Sequence, residues 1–190
     1  MLKRLLFLFM ALSLSGCSTF IKQPPIDGPI TQQWQFNGKF AIRTPQETQS
    51  AKIHWAQLNQ QYDINLYTTL GITVMKITGN DNFVEIDGIG EEPITGTSAE
   101  QLIWQLTRWH IPVSQLQWWV QGKVPYGSNI NYNKLGQVTD AEIIDNNGQT
   151  WQLRLGKYQS VDGKQRPYTI GLTQDRLFLK LAITKWQIQQ

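Results

Sequence analysis

Several residue types that mark common protein classes are scarce in this chain of 190 residues. A single cysteine excludes a disulfide within the chain and a metal cage built from cysteines. A formal net charge of +3, from 17 Lys+Arg and 14 Asp+Glu, is too small for a dedicated nucleic-acid binder. We therefore expect no nucleic acid among the partners, and the length fits one domain with a substantial core.

Sequence motifs for catalysis are also missing. The chain has no Gly-x-Ser-x-Gly, no phosphate-binding glycine loop and no His-Glu-x-x-His. Its two histidines, His54 and His110, do not stand at a recognisable spacing from a Ser or Cys with a supporting carboxylate. We predict that the protein is not an enzyme and that it uses neither a metal nor another cofactor.

The first apolar run is too short to cross a membrane as a helix. It covers Leu5–Leu14, whereas a spanning helix needs ~20 residues. Lys3 and Arg4 precede the run, and the small residues Ser15 and Gly16 follow it. This arrangement is typical of a secretory signal peptide, which predicts that residues 1–16 are cleaved.

The only cysteine follows this segment directly, and Leu14-Ser15-Gly16-Cys17 resembles the bacterial lipobox. The resemblance implies that Cys17 carries an N-acyl group and an S-diacylglycerol, which anchor the protein to a membrane. Ser18, in place of an Asp that favours the inner membrane, implies the outer membrane of a Gram-negative bacterium, facing the periplasm. An ordinary signal peptide with an unrelated cysteine is the alternative.

The rest of the chain divides into a tether and one domain. Residues 17–30 hold three prolines and are expected to form the lipidated N-terminus and tether. Residues 31–190 show apolar residues at every second position in many short segments, which predicts a β domain. Asn147-Gly148 predicts a two-residue hairpin turn between two of its strands.

A helical insert is expected around residues 97–122. Thr97-Ser98-Ala99-Glu100 is typical of a capping box, in which the Thr hydroxyl and the Glu carboxylate satisfy free amides of the first turn. Pro112 is predicted to stop this helix. Ser114 is predicted to cap a second helix that ends at Gly122.

Strands, then helices, then strands again predict an α+β fold that is mainly β. We expect a curved antiparallel sheet, a half or incomplete β-barrel, covered by helices and enclosing an apolar cavity. The eight Trp would help to line or lid this cavity. The residues expected in the cavity wall or the core are Trp34, Phe36, Phe40, Ile42, Ile53, Trp55, Ile64, Leu66, Leu102, Leu106 and Trp109.

Ordered segments through most of the mature chain resemble the LolB family of outer-membrane lipoprotein receptors. No segment is decisive alone, but their order behind a lipobox is fairly specific. The segments are Gly38-Lys39-Phe40-Ala41-Ile42, Ser50-Ala51-Lys52-Ile53-His54-Trp55, Tyr62-Asp63-Ile64, Leu70-Gly71, Pro112-Val113, Leu116, Trp118-Trp119-Val120-Gln121-Gly122, Trp151, Gly156-Lys157-Tyr158, Leu179-Lys180-Leu181 and Trp186.

The resemblance implies a monomer that accepts cargo lipoproteins from the periplasmic carrier LolA. It implies their insertion into the inner leaflet of the outer membrane without ATP or covalent chemistry, with the acyl chains held in the cavity. It also implies that Leu70 and Gly71 form a loop that contacts membrane lipid. The chain departs from the family just before, where Thr68-Thr69 replaces Asn-Pro-like turn residues.

Two other functions remain open on the residues alone. A structural or scaffolding lipoprotein that assists envelope assembly would have a solid core without space for acyl chains. A hydrolase acting on envelope lipid or glycan would need a cleft with a convergent acid and base, and no sequence motif indicates one.

Overall fold

The computed structural model describes residues 30, 32–145 and 148–188. The predicted signal peptide, the lipid attachment site Cys17, nearly all of the tether and Asn147 lie outside these residues. Those expectations therefore stay predictions.

Strands dominate the described part of the chain, as predicted. Two helices interrupt them, α1 at Ala99–Thr107 and α2 at Val113–Trp119. The strands are β1 Gln33–Arg43, β2 Thr48–Leu58, β3 Gln61–Tyr67, β4 Thr73–Gly79, β5 Val84–Asp87, β6 Ile94–Gly96, β7 Gly127–Tyr132, β8 Val138–Ile144, β9 Thr150–Gly156, β10 Gln159–Val161, β11 Lys164–Arg166, β12 Thr169–Gln174 and β13 Leu177–Ile188.

Eleven of these strands form one open, curved, antiparallel sheet in the order β6-β5-β4-β3-β2-β1-β13-β12-β9-β8-β7. The short strands β6 and β7 are its two edges, and β10 with β11 forms a separate hairpin. Register shifts interrupt the ladders at Asn37/Gly38 and at Leu66/Tyr67, and such bulges bend a strand. At Gly38 a Cβ would lie 2.6 Å from the carbonyl oxygen of Ala182, so only glycine fits this bend.

The inner face of the sheet carries the core. Trp34, Phe36, Trp55 and Trp186 are buried there as an aromatic cluster, with neighbouring ring centroids 5.2 to 5.8 Å apart. Such pairs contribute ~0.5–1.5 kcal/mol each beyond the burial of their area. The cluster ties β1, β2 and β13 together in the middle of the sheet.

The predicted capping box is one residue off. Ser98, with extended backbone, is the N-cap of α1, and its hydroxyl oxygen accepts the N–H of Gln101 at 3.4 Å. The Ser98 hydroxyl donates to Glu100 at 2.9 Å, and the other Glu100 oxygen accepts the N–H of Ser114 at 2.7 Å. Thr97 precedes the cap and contributes no capping bond, because the first turn starts later than predicted. Glu100 thereby joins α1 to α2.

Both helices also end or begin differently from the prediction. α1 stops at Thr107, well before Pro112, because Arg108 adopts a left-handed conformation (φ 63°) and its N–H bonds to the Trp104 carbonyl. Trp109 thus lies after the helix rather than on its apolar stripe. α2 starts at Val113 without a side-chain cap, so Ser114 is inside the helix and not its cap.

β8 and β9 form the antiparallel hairpin predicted around Asn147-Gly148, with Ile144 opposite Thr150, and the two-residue turn stays a prediction because Asn147 lies outside the described residues. Asp145 follows β8 and is buried, and its backbone N–H donates to the Gln149 carbonyl at 3.0 Å. Its carboxylate accepts the indole N–H of Trp151 at 3.1 Å and the backbone N–H of Gln149 at 2.9 Å. A buried carboxylate needs such donors.

Candidate functional site

A small apolar pocket of about 80 Å³ lies between the inner face of the sheet and the segment that runs from α1 to α2. Apolar side chains and one threonine line it. They are Phe40, Ile53, Trp55, Ile64, Leu66, Met75, Ile77, Ile103, Thr107, Trp109, Ile111, Val113, Leu116, Leu179 and Leu181.

The structure divides the predicted cavity residues between this pocket and the core beside it. Those that line the pocket are Phe40, Ile53, Trp55, Ile64, Leu66 and Trp109. Those buried or half-buried elsewhere are Trp34, Phe36, Ile42, Leu102 and Leu106. Only two of the eight tryptophans line the pocket, because most of the others pack in the solid part of the core.

Several lining residues were missed by the prediction. Leu179 and Leu181 come from β13, which pairs with β1 and so faces the same space. The sequence did indicate their position, because Leu177, Leu179, Leu181 and Ile183 alternate along β13 and therefore share one face of the strand. Ile111 and Val113 could not be found this way, because they follow the end of α1, where no periodic pattern applies.

The turn between β3 and β4 presents Leu70 to solvent, with 87% of the residue exposed. Backbone bonds close the turn, from the Thr68 N–H to the Ile72 carbonyl (2.8 Å) and from the Gly71 N–H to the Thr68 carbonyl (3.1 Å). The Thr68 hydroxyl oxygen also accepts the Ile72 N–H at 3.2 Å. Gly71 has φ +87°, which favours glycine. Thr68 is therefore one partner in each of these three hydrogen bonds.

Further apolar side chains surround this turn. Ile72 is 63% exposed, and Val74 and Ile89 are also exposed. The β5–β6 loop that carries Ile89 lies beside Val74, because a Cβ on Gly88 would be 3.2 Å from the Val74 carbonyl oxygen. Contiguous exposed apolar residues of this kind mark contacts with a membrane or a partner.

The exposed turn and the pocket are continuous along the sheet. Leu66 of β3 faces Met75 of β4 across the ladder, and both line the pocket. They are the last inward pair before the chain enters the Leu70 turn. The apolar inner surface therefore ends where the apolar turn begins.

Other spaces in the described ranges are larger and more polar. One of about 510 Å³, at the end of the sheet away from Leu70, is lined by Gln57, Tyr62 and Asn80 among others. Burial, with smaller contributions from Glu100 and Asp81, raises the pKa of the Tyr62 hydroxyl to about 12, so this phenol stays neutral at physiological pH. Nowhere in these ranges do three or more His, Cys, Asp or Glu side chains meet as a metal site would require.

None of the helices in these ranges has both the length and the apolar composition to cross a bilayer. The fold itself matches a solved structure, that of a LolA superfamily protein from Nitrosomonas europaea. The match has a TM-score of 0.57 and 11% sequence identity, and covers 87% of this chain and 89% of that one. Fold and pocket together define a class of protein in which a curved antiparallel sheet carries an apolar pocket on its inner face.

Sequence comparison identifies the family within that class. The family model described as "Outer membrane lipoprotein LolB" matches residues 32–186. The outer-membrane lipoprotein LolB of Tolumonas auensis is 34% identical over 99% of this chain and 98% of its own. That of Aeromonas hydrophila is 32% identical with the same coverage. The chain belongs to the LolB family, which confirms the predicted family and the outer-membrane location and assigns the protein a role in lipoprotein localisation.

Proposed function

We propose that this protein is the outer-membrane acceptor that takes lipoproteins from the periplasmic carrier LolA and inserts them into the inner leaflet of the outer membrane. Residues 1–16 are the cleaved signal, and Cys17, with its N-acyl group and S-diacylglycerol, is the anchor. The protein acts as a monomer without ATP or covalent chemistry. The observation that carries the proposal is the apolar pocket whose wall runs directly into the exposed Leu70 turn.

The energetics of acyl chains favour such an arrangement. Exposing a lipid chain to water costs ~0.8 kcal/mol per methylene, so a triacylated cargo cannot be released into the periplasm at a useful rate. Transfer has to keep the chains covered at every step. An apolar lining suits variable cargo, because it rewards buried area without requiring hydrogen bonds in fixed positions.

Occupation of the pocket requires it to widen. Its volume of about 80 Å³ is far below the ~300–1,000 Å³ of a typical ligand site. The walls differ in how they are held. β1 to β4 and β13 are locked by strand ladders, whereas the segment 107–116 meets the pocket through side chains such as Trp109 and Ile111. We propose that this segment covers the pocket and moves outward when acyl chains enter.

Photo-crosslinking tests whether cargo acyl chains occupy the pocket. A photoreactive amino acid at Leu66 points into the pocket, and one at Asn65, the adjacent residue, points to the outer face of the same strand. We expect cargo delivered by LolA to crosslink through its acyl chains at position 66 and not at 65. Equal crosslinking at both positions would contradict the proposal.

Depletion in cells tests the pathway as a whole. Without the protein, outer-membrane lipoproteins should accumulate in complex with LolA in the periplasm. Normal lipoprotein sorting after depletion, together with defects in envelope assembly, would instead favour a scaffolding role.

A further inference from the structure

A basic band runs along the outer face of the sheet at its centre. The band consists of Lys39 and Arg43 on β1, Lys52 on β2, and Lys180 and Lys185 on β13. These neighbouring strands, and β12 beside them, contain no Asp or Glu at all. The outer face here carries charge of one sign only.

The register brings these cations close together. Lys39 stands directly opposite Lys52 in the β1–β2 ladder. Lys180 faces Ala41, which is the next outward residue after Lys39 on β1. Directly opposed like charges destabilise an antiparallel pair, so a sheet that keeps them bears a cost. Two ion pairs lie to either side of the band, Lys76–Asp63 at 3.5 Å and Arg154–Asp140 at 3.1 Å.

Protection of sheet edges does not account for the band. Lysines often guard edge strands against pairing with other chains, but the edges of this sheet are β6 and β7. β2, β1 and β13 lie in its middle and are paired on both sides. Solubility does not require charges of a single sign either, because mixed positive and negative charges on the flanking strands already keep the surface soluble.

The band is continuous with the apolar turn. The Lys52 ammonium donates to the carbonyl oxygen of Thr69 at 3.0 Å, directly beside Leu70. Lysine and arginine next to exposed apolar residues are the combination by which proteins bind a bilayer surface: the apolar groups enter the acyl region and the cations stay among the headgroups.

We propose that the basic band docks onto anionic phospholipid headgroups, so that the outer face of β2, β1 and β13 lies against the bilayer while Leu70 enters it. The inference rests on the proposed function for the role of Leu70 and of the anchor. The band extends along β1 from Asn37, opposite Lys185, to Arg43 near the Leu70 end. β1 also begins where the tether enters the domain, so this orientation brings both ends of the strand to one membrane.

A fluorophore on the band tests the proposal in the lipid-anchored protein. Ser50 is exposed and pairs with Ala41, between Lys39 and Lys180, so a label on Ser50→Cys sits in the middle of the band. The protein is reconstituted into vesicles of phosphatidylcholine, alone or with phosphatidylglycerol, that carry a quencher on their headgroups. We expect strong quenching only with phosphatidylglycerol, weakening as salt is raised.

Replacing two lysines of the band by uncharged glutamine measures how strongly the band contributes to docking. Each basic residue near an anionic surface strengthens binding about fivefold, so Lys39→Gln with Lys180→Gln should lower the ratio of docked to undocked protein about 25-fold. Lys52 is left intact because it braces the turn. The matched control is Lys134→Gln with Lys157→Gln, both exposed and at the opposite end of the sheet, which should leave quenching unchanged.

Three outcomes would overturn the inference. Quenching could be equal on both kinds of vesicle, or the control pair could weaken it as much as the band pair. The variant Lys39→Gln with Lys180→Gln could instead reduce cargo uptake from the carrier while quenching stays unchanged. That result would mean that the band binds an acidic protein surface rather than lipid headgroups. In each case insertion into neutral vesicles that still depends on Leu70 would leave the proposed function standing. Docking without any cargo transfer would refute the proposed function and would leave the proposed lipid docking of the band standing.

Discussion

Replacing Leu70 by glutamate separates membrane contact from every other property of the protein. Leu70 is 87% exposed and lies outside the core, so the substitution should change the free energy of unfolding by no more than ~0.5 kcal/mol. The backbone bonds of the turn involve Thr68, Gly71 and Ile72 and remain available. Any functional loss would then come from the surface that Leu70 contacts during transfer, which we propose to be the membrane.

The expected magnitude follows from the side chain that is removed. Burying a leucine side chain in an apolar medium is worth ~1.5–3 kcal/mol relative to leaving it exposed, which corresponds to roughly 10- to 150-fold in membrane contact. The glutamate carboxylate adds a desolvation cost of its own. Leu70→Glu should therefore accept cargo normally and insert it at least 10-fold more slowly, with Leu70→Ala between it and the unmodified protein.

The assay follows cargo from LolA to the anchored protein and then into vesicles, measuring both steps. Leu135→Glu is the matched control, because Leu135 is also 81% exposed in a tight turn but lies at the opposite end of the sheet, between β7 and β8. Unimpaired insertion by Leu70→Glu would refute the reasoning, and so would an equal loss in Leu135→Glu.

Three further substitutions probe the scaffold. Gly38→Ala should destabilise the fold by ~1–3 kcal/mol in urea unfolding, because its Cβ would lie 2.6 Å from a backbone oxygen. The control Gly156→Ala has open space around the added Cβ and should change the unfolding free energy by no more than ~0.5 kcal/mol. Equal effects of the two substitutions would contradict this account. Trp34→Ala should cost ~3–5 kcal/mol by opening a cavity in the aromatic cluster, and a loss under 1 kcal/mol would show that the cluster repacks. The pKa of the Tyr62 hydroxyl is raised to about 12 in the folded protein, against 10 in the unfolded chain, so its contribution to stability is complete below pH ~10 and is lost as the pH rises towards 12. Tyr62→Phe should therefore reduce the fall in unfolding free energy over this pH range. An unchanged fall would assign the loss of stability to other groups.

Much of the sheet could be predicted because strand periodicity is local. Apolar residues at every second position predicted a mainly β domain, which the structure confirms, and the same alternation places Lys39, Lys52 and Lys180 on the outer face. The short strands β6, β10 and β11 have three residues each, too few for a periodic signal. β7 has an irregular ladder and an exposed surface, so its sequence does not alternate cleanly.

The helix ends were mispredicted because tertiary contacts decide them. The Glu100 carboxylate bonds both to Ser98 and to the distant Ser114. These bonds connect residues whose relation depends on how the chain folds back. Local propensity carries no information about them.

Family, outer-membrane location and a mainly β fold follow from the order of residues alone, because each depends on local patterns or on matching segments. Only the tertiary structure decides that the pocket is as small as about 80 Å³ and that most tryptophans pack outside it. The register likewise decides that cations from three strands meet in one band beside Leu70. Volumes and neighbours depend on how distant segments pack against one another, and that packing is a property of the whole fold.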